Sequence, residues 1–505
     1  MQVIGNQLPT KGVKEPHRPK RVVWPVFLAA AAVLLVGAFF IRPRSGTAIP
    51  YAVETLYPGP VEATVGPNVL IICIDALRPD HMSLYGYERD TTPRIMAVFG
   101  DATIFNRAYA PAAVTTPSVV SLLTGLYPQN HGVRMLGQKV PDPTVLVSDH
   151  VRRAGYQTAA VVSNAVLSDS ASGLASRFDL YDARLDQNRG ARAHVLQRNA
   201  QKTTDAAINW LHYTRAPDRP HFLYVHYADP QAPYEPLPDK PADFTHQRPM
   251  LVDLTGHGGS VQPEGTVDSL ELIDRYDEEI AYTDREVGRL LHEYRDLGLL
   301  DDALVILCAD HGESMMEHDC WFGHGVHVHQ ELIRIPLAVR YQDLKPQRVE
   351  TTVSLIDVTP TILVAAGLPV PAVLDGKSLF APVDAREIFA EARGVWDDDQ
   401  DDSHSAGLWR CLIRGDTKVV ARIGNTGSIR SAQMFDLLAD PKELNPSPAT
   451  KEEPAFRALA DFIASDPNPA GLPKNVAWGD LPGPNVAPSA DPETLGHLRS
   501  LGYVQ

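Results

Sequence analysis

Cysteine is scarce, with four in 505 residues. Cys73, Cys308, Cys320 and Cys411 stand far apart, so no spacing suggests a zinc knuckle or a disulfide framework. Cys73 and Cys308 fall inside apolar, β-rich runs and read as small buried hydrophobes. Positive charge is also short. Lys and Arg number 46 against 62 Asp and Glu, for a net charge of −16. That balance argues against nucleic acid as a general partner. No internal repeat is present, which argues against a solenoid or a propeller.

One stretch lacks charge of either sign. Val22–Ile41 (VVWPVFLAAAAVLLVGAFFI) runs for about 20 residues, enough to cross ~30 Å of hydrocarbon. Lys11, Lys14, Arg18, Lys20 and Arg21 precede it; Arg42 and Arg44 follow closely. The positive-inside rule then keeps residues 1–21 in the cytoplasm and exports everything after Arg44. Pro25 falls in the first turn, where its missing N–H costs little. The run reads as an uncleaved single-pass anchor. A cleaved signal peptide is the rival reading, although no clear small-x-small cleavage site follows.

Residues 42–65 carry Pro and Gly and read as a linker. From Asn68 onward short β-rich runs alternate with helical stretches. The runs are Val69–Ile74, Thr158–Val162, Phe222–His226, Leu304–Ala309 and Leu337–Arg340. Such alternation implies βαβ units and an α/β fold with a mostly parallel central sheet. Ile273, Tyr276, Ile280, Val287, Leu291 and Tyr294 keep a helical spacing across 270–297, with Gly298 at the end. That helix leads into the Leu304 run as a crossover would. A Pro-punctuated helix is expected over Asp357–Leu363. The acidic run from Asp397 to Asp402 reads as a solvated loop, with a calcium site as the lesser alternative. Residues 405–438 are β-rich. The expected layout is a main domain over 66–383, a small subdomain over 384–447, and a tail over 448–505 with a helix near Glu453–Ala464.

The chemistry gathers at strand ends. Leu304–Ala309 delivers Asp310-His311-Gly312-Glu313, and Val69–Ile74 delivers Asp75. In open α/β sheets ligands bind outside the carboxyl ends of the strands. Two carboxylates and an imidazole meeting there suit one divalent ion, with calcium, magnesium, manganese and zinc all open. A strand-end Asp is also a common turn former, so Asp75 alone proves little. Between these runs lies Thr115-Thr116-Pro117-Ser118-Val119, running to Gly125. Pro117 suits the first helical position and Gly125 a C-cap. Thr115 would then stand at a helix N-terminus, which favours oxyanions. Either Thr115 or Thr116 could simply be the N-cap. A metal-bound hydroxyl at Thr115 could instead attack phosphorus or sulfur. His318 and His324 follow Asp310 closely, and His226 follows its own strand. All three are candidates for contact with substrate oxygens.

These stretches resemble the sulfatase-like branch of the alkaline phosphatase superfamily. The likeness runs from about Asn68 to Pro382 and is carried by Asn68–Tyr85, Thr115–Gly132, Tyr276–Leu291, Leu304–Glu313 and Gly323–Arg340. It resumes weakly at Met434–Pro441 and Leu498–Tyr503. The resemblance implies a three-layer α/β/α sandwich with a small C-terminal α+β subdomain. It also implies a metal held by Asp75, Asp310 and His311, with Thr115 as nucleophile and further ligand, and His324 contacting the ester oxygens.

Four departures stand out. Sulfatases proper carry C-x-P-S-R, whose cysteine becomes formylglycine; here Thr115 takes that place and Val119 replaces the arginine. Ala76 stands where many sulfatases have a second aspartate. Ser163-Asn164-Ala165 replaces a Lys-Trp-His stretch, and Gln231 replaces a histidine. A threonine nucleophile is similar to the phosphoethanolamine and phosphoglycerol transferases and the nucleotide phosphodiesterases. The expected protein is a membrane-anchored hydrolase of sulfate or phosphate esters, its catalytic domain on the extracytoplasmic side and without formylglycine. Such a transferase is one alternative. A non-catalytic binder of an anionic glycan or lipid head group is the other.

Overall fold

The computed structural model describes residues 66–187, 196–234, 243–254, 265–381, 386–398, 401–472 and 485–500. Residues 1–21, the Val22–Ile41 run and the linker lie outside these residues. Among the described residues no helix is long and apolar enough to cross a membrane.

A nine-stranded sheet organises the main body. Its strands are β1 (Val69–Ile74), β2 (Thr103–Tyr109), β3 (Gln157–Val162), β4 (Leu180–Asp182), β5 (His221–Tyr227), β6 (Leu304–Ala309), β7 (Arg334–Arg340), β8 (Gln347–Val349) and β9 (Val353–Ser354). They lie in the order β8-β2-β7-β6-β1-β5-β3-β4, with β9 also on β2. β6, β1, β5, β3 and β4 are mutually parallel, and β7 runs against its neighbours β6 and β2. β1, β5 and β6 are buried along their whole length. Parallel strands covered on both faces read as unbroken apolar runs, which is why the sequence shows these strands so plainly. Burying each such aliphatic side chain stabilises the fold by about 2 kcal/mol.

Helices cover both faces, giving a three-layer α/β/α sandwich. α1 (Thr115–Thr124) packs with Val147–Arg153 and with α4 (Val358–Ala365). α3 (Ser269–Asp296) packs with α2 (Ala200–Tyr213) and with Pro93–Phe99. Asp268 caps α3 by accepting the Leu270 N–H at 3.1 Å. The buried face of α3 holds more than the expected apolar stripe. Asp277 is buried there and meets His81, Tyr87 and Arg89 at 2.7–2.8 Å. α1 begins at Thr115, so Pro117 is its third residue and not its first. Gly125 ends α1 in the left-handed conformation (φ 70°), as expected of a C-cap.

A second sheet of five antiparallel strands follows. It comprises β10 (Glu387–Asp398), β11 (Asp401–Arg414), β12 (Thr417–Ile423), β13 (Ile429–Asp436) and β14 (Ser447–Pro448). The acidic run expected as a loop is strand up to Asp398 and again from Asp401, because the β10–β11 ladder extends to its tip. Its side chains lie outside the described residues. Alternation along β11 sets the packing. Leu408 and Leu412 face α5 (Pro454–Ser465) through Leu459 and Ile463. Trp409, Cys411 and Ile413 face Val328, Leu332 and Ile333, in the segment that leads into β7. Both sheets belong to one compact unit.

Candidate active site

Strand register brings the two carboxylates together. β1 and β6 pair residue for residue from Val69–Leu304 to Ile74–Ala309, so Asp75 and Asp310 leave adjacent strands at the same level. β5 flanks β1 on the other side and places His226 opposite Cys73. The Asp75 N–H still bonds the Tyr227 carbonyl at 3.0 Å, so the side chain starts where the sheet ends. Ala76 then turns left-handed (φ 56°) and aims its N–H at Asp310 Oδ1, 3.3 Å away. That conformation costs a non-glycine residue of order 1–3 kcal/mol, and such strain collects at functional sites.

Asp75, Thr115, His226, Asp310 and His311 are all fully buried. His311 Nδ1 donates to the Gly312 carbonyl at 2.8 Å. This leaves its Nε2 as a lone pair, facing Thr115 Oγ1 at 3.2 Å and Asp75 Oδ1 at 3.3 Å. The Thr115 hydroxyl therefore donates to His311 and does not cap α1. The N-cap position belongs to Val114. Thr116 points elsewhere and donates to the Val166 carbonyl at 3.2 Å.

Burial, reinforced by the charge of Asp310, pushes the Asp75 carboxyl well above its ordinary value. Burial acts on Asp310 the same way, but the imidazoles of His311 and His226 and the Ala76 N–H outweigh it and hold that carboxyl at about 2. Burial lowers the His311 imidazole to about 4, against the pull of Asp310. The ring is thus neutral and free to act as a ligand.

The donor set fits a cation. Asp75 Oδ1 is buried without a hydrogen-bond partner. It faces the His311 lone pair, an arrangement that repels unless a proton or a cation lies between. Asp75, Asp310 and His311 offer donor atoms within 4.8 Å of one another. His226 Nε2 approaches Asp310 Oδ2 at 3.5 Å and Asp75 Oδ2 at 3.9 Å, beside the same carboxylates.

His324 joins the group, its ring 4.3 Å from that of His311. Its Nδ1 bonds Glu313 Oε1 at 3.0 Å, and its Nε2 faces the Gln231 amide at 3.4 Å. His318 does not join. Its backbone is left-handed (φ 51°), as is that of Asp319 (φ 58°). The ring bonds Glu331 Oε1 at 2.7 Å and the Glu443 carbonyl at 3.2 Å. The expected substrate contact at His318 therefore has no support in this geometry.

Three further side chains complete the site. Asn164 donates to Asp75 Oδ2 at 2.8 Å and to Gln231 Oε1 at 2.7 Å. Gln231 links that amide to His324, and Glu313 backs His324 from the other side. Asn164 had a readable signal, since it follows the end of β3 much as Asp75 follows β1. Glu313 had none beyond proximity to Asp310, and Gln231 showed only as a departure from a family histidine.

The sulfatase family pattern matches residues 67–368. An ulvan-active sulfatase of Formosa agariphila is 23% identical over 332 residues, covering 62% of this chain and 64% of the relative. A solved structure in complex with its substrate D-glucosamine-2-N,6-O-disulfate aligns over 79% of this chain and 98% of its own, at 19% identity and a TM-score of 0.58. A phosphonate monoester hydrolase of Agrobacterium radiobacter aligns over 82% and 97%, at 21% identity and a TM-score of 0.61. With its strand-end carboxylates in register, the chain belongs to the sulfatase family and is a sulfatase-like hydrolase of ester bonds.

Proposed function

We propose that this chain cleaves a sulfate or phosphate ester by attack of the unmodified Thr115 hydroxyl. The observation that carries the reading is the placement of Thr115 Oγ1. It stands at the first residue of α1, 3.2 Å from His311 Nε2 and among two carboxylates. The first N–H groups of a helix lack intrahelical partners and favour an oxyanion. Asp75, Asp310 and His311 would hold a divalent ion, with Thr115 Oγ1 as a further donor. Such an ion supplies charge neutralisation and lowers the pKa of a bound hydroxyl.

Thr115 Oγ1 loses its proton to solvent and forms a bond to sulfur or phosphorus, whose bond to the ester oxygen breaks as that oxygen leaves. His324, held by Glu313 at Nδ1, presents Nε2 to protonate that oxygen. Water then resolves the Thr115 ester and restores the hydroxyl. His324 and Gln231 are the more exposed members of the site, at 3% and 4%, so the ester approaches from their side. A sulfated glycan is the substrate class suggested by the ulvan-active relative and by the neighbour bound to a glucosamine disulfate. We assign the Val22–Ile41 run to a membrane anchor that leaves this site outside the cytoplasm.

The test is turnover of matched aryl sulfate, aryl phosphate monoester and aryl phosphodiester substrates after loading with calcium, magnesium, manganese or zinc. Turnover that disappears in Thr115→Ala supports the reading. No turnover on any of these esters, with anion binding retained, assigns the chain to the non-catalytic binders instead.

A further inference from the structure

A second group of metal-ligating side chains lies in the segment between β6 and β7. His318, His327 and Glu331 offer three donor atoms within 4.8 Å of one another. The first site shares none of them. His318 Nδ1 donates to Glu331 Oε1 at 2.7 Å and its Nε2 to the Glu443 carbonyl at 3.2 Å, contacts that raise the imidazole against its burial, so an ion at Nδ1 takes the place of that proton. His327 is 5% exposed, and its Nε2 is buried without a hydrogen-bond partner. This nitrogen lies 3.6 Å from the same Glu331 oxygen. The His329 N–H approaches His327 Nδ1 at 3.4 Å, too long to fix the tautomer of the ring.

We infer that His318 Nδ1, His327 Nε2 and Glu331 Oε1 form a second, zinc-class metal site. Two imidazoles and one carboxylate are a donor set that zinc accepts, with a fourth position left for water. Donors at ~2.1 Å from a tetrahedral ion stand roughly 3.4 Å apart, so the two separations from Glu331 Oε1, 2.7 and 3.6 Å, need to change by under about 1 Å.

The charges around the cluster agree. Glu443 is already neutralised by Lys418, whose Nζ is 2.6 Å away. Glu331 has only imidazole partners among the described residues. The His318 and His329 rings stack at 3.8 Å, and the His327 ring is 4.9 Å from that of His329. Rings so crowded resist protonation together. Burial pushes His327 well below its ordinary value, with His329 and His318 adding to the effect, so it is a neutral ligand.

The site would act by positioning. The segment that supplies His318, His327 and Glu331 also supplies His311, Glu313 and His324. It is tied to the second sheet through Glu443, which meets His329 Nδ1 at 2.9 Å and stands beside Lys418 on β12. An ion at Glu331 locks the far end of that segment.

The experiment is zinc binding by the purified full chain, read by elemental analysis after dialysis. Asp310→Asn serves as the background that disables the first site. The expected result is about one zinc per chain in Asp310→Asn, and none when His327→Gln or Glu331→Gln is added. Cobalt in the folded Asp310→Asn protein should show the intense visible absorption of tetrahedral coordination, whether or not the double variants fold. Either of two results overturns the assignment: folded Asp310→Asn that takes up no zinc, or zinc that persists in both folded double variants.

Discussion

Thr115 Oγ1 lies 3.2 Å from His311 Nε2 although 196 positions separate the two residues in the chain. α1 brings Thr115 as its first residue, and β6 brings His311 two residues beyond its end. The hydroxyl sits where a helix begins, and the imidazole where a strand has just ended.

That pairing makes Thr115 the first residue to change. Thr115→Ala should lower turnover by roughly 10⁴ or more, on the scale of other nucleophile removals. Thr115→Ser should keep part of the rate, since the hydroxyl survives. Thr116→Ala should matter far less, because that hydroxyl only meets the Val166 carbonyl. Intact-mass analysis of trapped enzyme should place the added group on Thr115. Full activity in Thr115→Ala would falsify the assignment.

Asp310 is the residue on which the metal expectation rests most directly. Its carboxylate faces Asp75 across the β1–β6 pair and takes the Ala76 and His311 N–H groups on Oδ1 at 3.3 and 2.9 Å. In a Glu331→Gln background, Asp310→Ala should remove bound metal and activity together. Undiminished metal content in this variant, with the second candidate site disabled by Glu331→Gln, would sink the ligand set.

The strands that carry this chemistry were the most legible part of the sequence. β1 and β6 have the expected bounds, because strands buried on both faces spell themselves out as apolar runs. β2 was not legible. Its Asn106 and Arg107 interrupt the apolar pattern, as they do in a strand only partly covered. The same logic divides the site. Asp75, Asp310 and His311 follow directly from strand ends. The destination of His318 depends on a left-handed turn at a residue that is not glycine, which no local pattern announces. Glu313 matters through His324, so nothing short of the fold could single it out, and Gln231 showed only as a departure from the family's histidine, its links to Asn164 and His324 being a product of the fold.

The membrane expectation is tested outside the described residues. A reporter domain fused after Ser45 should be active only on the far side of the membrane. Release of the protein by a salt wash, or a mature N-terminus beyond Ile41, would count against an anchor.

Asp284 gives a prediction about pH. It is buried on α3 and accepts the Ile95 N–H at 2.8 Å and the Arg94 N–H at 3.1 Å. Burial outweighs these bonds and raises the carboxyl from 3.8 to about 6. A raised folded value means the folded state holds the proton more tightly than the unfolded chain. The stabilisation is complete below the unfolded value and is lost as pH rises through about 6. Between about pH 4 and about pH 7, wild type should lose up to ~3 kcal/mol relative to Asp284→Asn, which does not titrate and whose amide oxygen keeps one of the two N–H groups. Urea unfolding of both proteins at the two pH values checks this. An unchanged difference would show that Asp284 does not titrate in that window.

Gly312 couples the site to the segment behind it. Its N–H bonds the Leu332 carbonyl at 2.9 Å, and its own carbonyl takes the proton of His311 Nδ1. A Cβ added there would lie 2.0 Å from the Glu331 carbonyl oxygen and 3.0 Å from its carbon. Both are backbone atoms, so no side chain can swing aside to make room. The reason for glycine here is this close approach. Gly312→Ala must separate the two backbones, and overpacking of this kind costs about 1–3 kcal/mol. The separation also moves the carbonyl that fixes the His311 tautomer. The variant should therefore melt several degrees lower and lose turnover beyond what its folded fraction explains. Thermal melts paired with kcat measured well below the melting point distinguish the two effects. A variant with unchanged melting temperature and unchanged kcat would show that the chain can relax here, and that His311 does not depend on Gly312 for its orientation.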